Sequence, residues 1–181
     1  RDSMDSADPL YSKALHQAAH VVVALSFGWW ITVEGISLEE RVHKDSPDCP
    51  KNSHCGIFSK NHHSLETKTS ILMAGAIMDC DCLEADQVSK RLEKQIESLK
   101  QTDSNSDLYL ALNMAQKELN NFKKAKEHVL KSARTAADIL NKHHAAVDEF
   151  AEFLYSKKSV DYSDFLEFTF SANHFKGLLK K

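Results

Sequence analysis

His16-Gln17-Ala18-Ala19-His20, followed directly by Val21-Val22-Val23-Ala24-Leu25, is the stretch on which the fold of this chain turns. Residues four apart project from one face of a helix, so the two imidazoles can grip a single metal ion if this segment is helical. The flanking residues predict that it is. Asp8-Pro9 supplies an N-cap and a proline at the first helical position, and apolar residues recur at Leu15, Ala18, Ala19, Val22 and Leu25. Gly28 is placed to end the helix.

Working outward, residues 30–38 change to strand chemistry, with Ile31, Thr32, Val33, Ile36 and Leu38, and residues 56–59 fit a second short strand. The charged stretch between them holds two prolines and reads as a loop. Helical spacing returns at Leu65, Ile71, Leu72, Ala76 and Ile77, then at Val88, Leu92, Ile96 and Leu99. After the polar break Thr102-Asp103-Ser104-Asn105-Ser106, one apolar series runs through Leu108, Ala111, Ala115, Leu119, Phe122, Ala125, Val129, Ala133, Ala136 and Leu140. That is either a long helix or a hairpin pair. Ala146, Phe150, Phe153 and Leu154 mark a further amphipathic helix, and residues 162–170 a short last one. The expected fold is mainly α, one domain over residues 1–181, with a small sheet beside the first helix.

With 181 residues, 42% hydrophobic and 27% charged, the chain can bury a globular core. A net charge of −3 without a long basic block argues against nucleic acid and anionic membranes as partners. The apolar run at Val21 is far shorter than the ~20 residues of a membrane span, so a soluble, cytoplasmic protein is expected. Cys49, Cys55, Cys80 and Cys82 read as reduced thiols, because a helical core of this size needs no disulfide staples. Cys80 and Cys82 would point to different sides of a helix, which disfavours a shared metal. Adjacent histidines cannot both face one ion, so His62-His63 and His143-His144 are read as exposed. Trp29 and Trp30 are read as core at a helix–strand junction.

The histidine pair resembles half of the H-E-x-x-H metallopeptidase motif, in which the glutamate takes the proton of the attacking water. Gln17 stands where that glutamate would be. A carboxamide hydrogen-bonds water but accepts no proton near neutral pH, so the metal-binding half of the motif is present and the general base is missing. More widely, residues 8–170 resemble the proteolytic domain of the FtsH-like ATP-dependent zinc metallopeptidases. Leu15-His16-Gln17-Ala18-Ala19-His20-Val21 resembles the family's H-E-A-G-H-A helix, with Ala19 for glycine. Cys55-Gly56-Ile57-Phe58 resembles its glycine-led strand, and Leu72-Met73-Ala74-Gly75-Ala76-Ile77-Met78-Asp79 its L-G-G-R-A-A-E helix without the arginine and glutamate. Asn105-Ser106-Asp107-Leu108 with Met114-Ala115 resembles the N-D-[IL]-x-x-A helix start, and residues 133–165 the C-terminal helices. Residues 88–100 look like an insertion.

The resemblance implies a zinc ion held by His16, His20 and Asp107, and proteolysis impaired by Gln17. Asp107 is equally readable as a helix cap. No G-x-x-x-x-G-K-[ST] phosphate loop occurs, so no ATP binding is expected. Two alternatives stay open, both binding a polypeptide without metal or catalysis: a natural pseudopeptidase, and a helical adaptor using the long helical segment after Asp107. A monomer or weak dimer is expected in either case.

Overall fold

A computed structural model of the protein describes residues 8–38, 54–58, 64–80, 84–99 and 106–179. The chain divides into two compact units: Arg1–Phe58 with His144–Lys181, and Ser59–His143. As expected from the sequence, the architecture is mainly helical with a small sheet beside the first helix.

The first unit is built around helix α1, Pro9–Ser26. Its start is the expected one: the Asp8 carboxylate accepts a hydrogen bond from the Leu10 backbone N–H at 2.8 Å, and Pro9 sits in the first turn. Its end is a Schellman motif. Gly28 takes a positive φ of 78°, its N–H donates to the Leu25 carbonyl, and the Trp29 N–H donates to that of Ala24. From Gln17 to Leu25 every residue is buried, so this is an interior helix rather than a half-exposed one. It packs against α6 (His144–Lys157), against the sheet and against the short α8 (Lys176–Leu179).

The sheet has three strands in the order β2-β1-β3, with β1 Trp30–Ser37, β2 His54–Phe58 and β3 Ser159–Val160. Both pairings are antiparallel. Trp30 pairs with Phe58 and Ile31 with Ile57, but Ile36 pairs with Cys55, so β1 carries an irregularity between Ile31 and Ile36. Gly35 lies in that segment with φ 69°, and any Cβ there would collide with the Val160 carbonyl oxygen. The two-residue β3 was not anticipated; it follows α6, where Lys158 turns the chain with φ 65° and accepts the Leu38 N–H. Helix α7, Tyr162–Ser171, opens with a capping box between Asp161 and Asp164. The unit's core is aromatic: Phe150, Phe165, Phe168 and Phe175 meet at centroid distances of 5.1–5.8 Å, with Phe153 stacked on Phe168.

The second unit is four helices: α2 Leu65–Met78, α3 Ala85–Ser98, α4 Asp107–Leu119 and α5 Phe122–Lys142. Helix α2 packs on both α4 and α5, and α3 packs on α5. The stretch resembling an insertion is therefore mostly α3, which buries Val88, Leu92 and Ile96 and ties its charged side down through Lys126 to Glu93 and Glu97. After Asp107 the chain forms the hairpin pair. Asn120 takes the left-handed conformation at the end of α4, and the Asn121 side chain accepts from the Lys124 N–H to start α5. The apolar series breaks at that corner. Leu119 and Phe122 are exposed, at 36% and 52%, whereas Ala125, Val129, Ala133, Ala136 and Leu140 are buried.

Candidate metal centre

Helix α1 positions the histidine pair. His16 is half-buried and His20 is 7% exposed, one turn apart on the same side of the helix. Their Nε2 atoms lie 3.1 Å apart, and the rings meet edge-on with centroids 4.8 Å apart and planes at 75°. Two imidazole nitrogens approach this closely either because one N–H donates to the other or because both lone pairs face a common cation. A tetrahedral ion with metal–nitrogen distances of ~2.0–2.1 Å brings two ligand nitrogens to about 3.3 Å. The observed separation is close to that value, so the pair fits a shared ion with little movement.

Gln17 follows His16 and precedes His20 by three residues, and it is 4% exposed. Its carboxamide offers two N–H donors and one acceptor oxygen, but no group that takes up a proton at neutral pH. General-base chemistry is therefore not available from this position.

Asp107 is the first residue of α4 and is half-buried. The capping role open to it in the sequence belongs to Ser106, whose hydroxyl accepts the Tyr109 N–H at 3.2 Å. Asp107 thus sits in the first turn, where the helix dipole favours a carboxylate. Asp107 belongs to the second unit and the two histidines to the first, so within one unit the candidate ligands are the His16–His20 pair.

The other candidates from the sequence fall elsewhere. His143 is half-buried as the C-cap of α5 rather than exposed, because its backbone closes the last turn onto Ile139; His144 is exposed. Trp29 and Trp30 are half-buried at the helix–strand junction rather than in the core, and Trp30 packs edge-on to Phe165 at 5.5 Å. Cys80 is half-buried and outside any disulfide. His62, His63, Cys49 and Cys82 lie outside the described residues.

One polar cluster escaped the sequence. In the second unit the Thr69 hydroxyl lies 2.8 Å from the Leu65 carbonyl oxygen, 3.2 Å from that of Glu66, 3.1 Å from His128 Nε2 and 2.7 Å from Ser132 Oγ. A hydroxyl has one proton and two lone pairs. If Thr69 donates to the backbone, the cluster is satisfied only when His128 Nε2–H and the Ser132 hydroxyl both donate to it. No sequence signal marks these partners, since His128 and Ser132 are 59 and 63 residues from Thr69.

Comparison with protein-family models, with curated proteins and with solved structures finds no match.

Proposed function

We propose that this is a zinc-binding, metallopeptidase-like domain in which His16, His20 and Asp107 hold the ion and Gln17 disables hydrolysis. The observation that carries it is the 3.1 Å separation of the His16 and His20 Nε2 atoms on a mostly buried helix. Two neutral imidazoles and a carboxylate form the donor set typical of zinc sites that keep one position open for a ligand. Bound zinc would supply Lewis-acid polarisation of a carbonyl and lower the pKa of water. The chain's own residues define the rest. His16 and His20 would hold the ion from consecutive turns of α1, Asp107 would lower the net charge of the set, and Gln17 at the position of the base would accept no proton from a bound ligand. A polypeptide is the ligand this reading implies, held without ATP-driven threading.

Gln17 is common to an impaired peptidase and a pseudopeptidase; Ala19 in place of glycine and the missing arginine and glutamate in residues 72–79 favour the second. The helical adaptor draws on Leu110, Leu119 and Phe122, which are exposed on α4 and at the start of α5, although the apolar residues of α5 from Ala125 to Leu140 are buried within the second unit.

Elemental analysis after zinc loading and desalting tests the proposal. About one equivalent of zinc per chain is expected to be retained, and His20→Ala and Asp107→Asn should each weaken retention roughly tenfold or more. Retention of no zinc by the parent chain, or equal retention by both variants, would remove the basis for it.

A further inference from the structure

We propose that the corner between α4 and α5 in the second unit is a docking surface for an anionic phospholipid bilayer. Leu119 and Phe122 enter the lipid there, and Lys117, Lys123 and Lys124 meet its phosphates. Helix α4 ends in the left-handed Asn120, and Asn121 directly after it caps α5, so the chain reverses within a few residues. Every residue from Gln116 to Lys124 is exposed, the longest such run among the described residues. The corner therefore protrudes.

Two properties of this corner point to a lipid surface. The first is apolar exposure at the tip: Leu119 is 36% and Phe122 52% exposed, while the core series resumes on either side of them at the buried Ala115 and Ala125. The second is local charge. Lys117, Lys123 and Lys124 stand with one acid, Glu118, inside the corner, and Glu127 follows a turn into α5. Glu93 and Glu97 of the neighbouring α3 are answered by the Lys126 ammonium, 3.6 and 3.4 Å away. The net charge of −3 sums over the whole chain and does not describe this corner, which is positive. A lysine lays its apolar stem against hydrocarbon and keeps its ammonium at the level of the phosphates. Near an anionic bilayer each such lysine is worth roughly fivefold in binding. Phenylalanine and leucine beside them suit the boundary between headgroups and acyl chains. A protein partner fits less well. A stable protein interface takes about 800 Å² from each side. One Phe and one Leu, both already partly covered, fall well short of that, whereas a bilayer requires only that the side chains enter it.

The test is co-sedimentation of the full chain with vesicles of phosphatidylcholine alone and of phosphatidylcholine mixed with phosphatidylserine. At near-physiological ionic strength the chain should bind the mixed vesicles at least about tenfold more tightly than the neutral ones, and high salt should release it. Lys123→Glu should weaken binding roughly tenfold, and Phe122→Ser about fivefold or more. Lys142→Glu makes the same change of charge at an exposed position in the last turn of α5, and should alter binding by less than about twofold, because charges so far apart are screened. All three side chains are exposed, so each variant should unfold at the parent's temperature. Absence of binding to the mixed vesicles overturns the proposal and leaves the corner to a protein partner. Unimpaired binding by Phe122→Ser overturns it as well, since the chain would then adsorb by charge alone. An equal loss in Lys142→Glu does the same, by showing that net charge rather than the corner decides.

Discussion

At the scale of single residues, Gln17 decides the chemistry of the proposed site. The expected outcome is that the zinc-loaded parent chain cleaves unfolded polypeptide very slowly, and that Gln17→Glu raises the rate by ~10²–10⁴-fold, the usual worth of a positioned general base. Release of labelled peptides from an unfolded protein substrate measures this, and brisk zinc-dependent cleavage by the parent would contradict it. A second residue-scale prediction concerns Asp8. The Tyr155 hydroxyl donates to its carboxylate at 2.6 Å, and this bond, with the Leu10 N–H, holds the Asp8 pKa below its ordinary value while raising that of Tyr155. A lowered carboxylate pKa stabilises the fold above the unfolded value of 3.8, and that contribution is lost as pH falls through the lower folded value. The raised phenol pKa works the other way: its contribution is complete below the unfolded value of 10.0 and is lost as pH rises through the folded one. Tyr155→Phe keeps the edge contact with Tyr11 and removes only the hydroxyl. Its melting temperature should therefore fall short of the parent's near neutral pH and converge with it in strong acid. A constant difference down to the lowest pH would show that the bond does not follow Asp8 ionisation.

At the scale of elements, the packing of α2 against α5 depends on the Thr69 hydroxyl as well as on apolar contact. Thr69→Val preserves the shape and leaves the buried Ser132 hydroxyl without its partner, so denaturant unfolding should report a loss of about 1–3 kcal/mol. Adding Ser132→Ala should cost less than the sum of the two single changes, because it removes the hydroxyl that Thr69→Val strands. Strict additivity would mean the two hydroxyls are not coupled. Within the sheet, Gly35→Ala forces a Cβ against Val160 in a backbone conformation that L residues rarely adopt. A loss of about 2 kcal/mol or more is expected in the same measurement. A neutral outcome would show that β1 can relax away from β3.

At the scale of the whole molecule, light scattering at micromolar concentration should return a mass near 20.4 kDa, with no tighter association than a weak dimer. A stable hexamer would instead point to ring contacts carried by this chain. No helix among the described residues is long and apolar enough to cross a membrane. What the sequence determined by itself is what short-range chemistry controls. Asp8-Pro9, the apolar period through Leu25 and Gly28 delimit α1 within a turn or two of chain, so the one-turn spacing of His16 and His20 was legible with them. Tertiary structure alone decided the rest. Periodicity ran Leu119 and Phe122 into the core series, yet the left-handed Asn120 between them turns the chain and leaves both exposed. It also could not assign the cap of α4 to Ser106 over Asp107, since both residue types accept backbone N–H bonds equally well. The two-residue β3 and the meeting of Thr69 with His128 and Ser132 depend on which faces of distant elements pack together. That choice is set by burial summed over many distant residues, and no local window of sequence contains it.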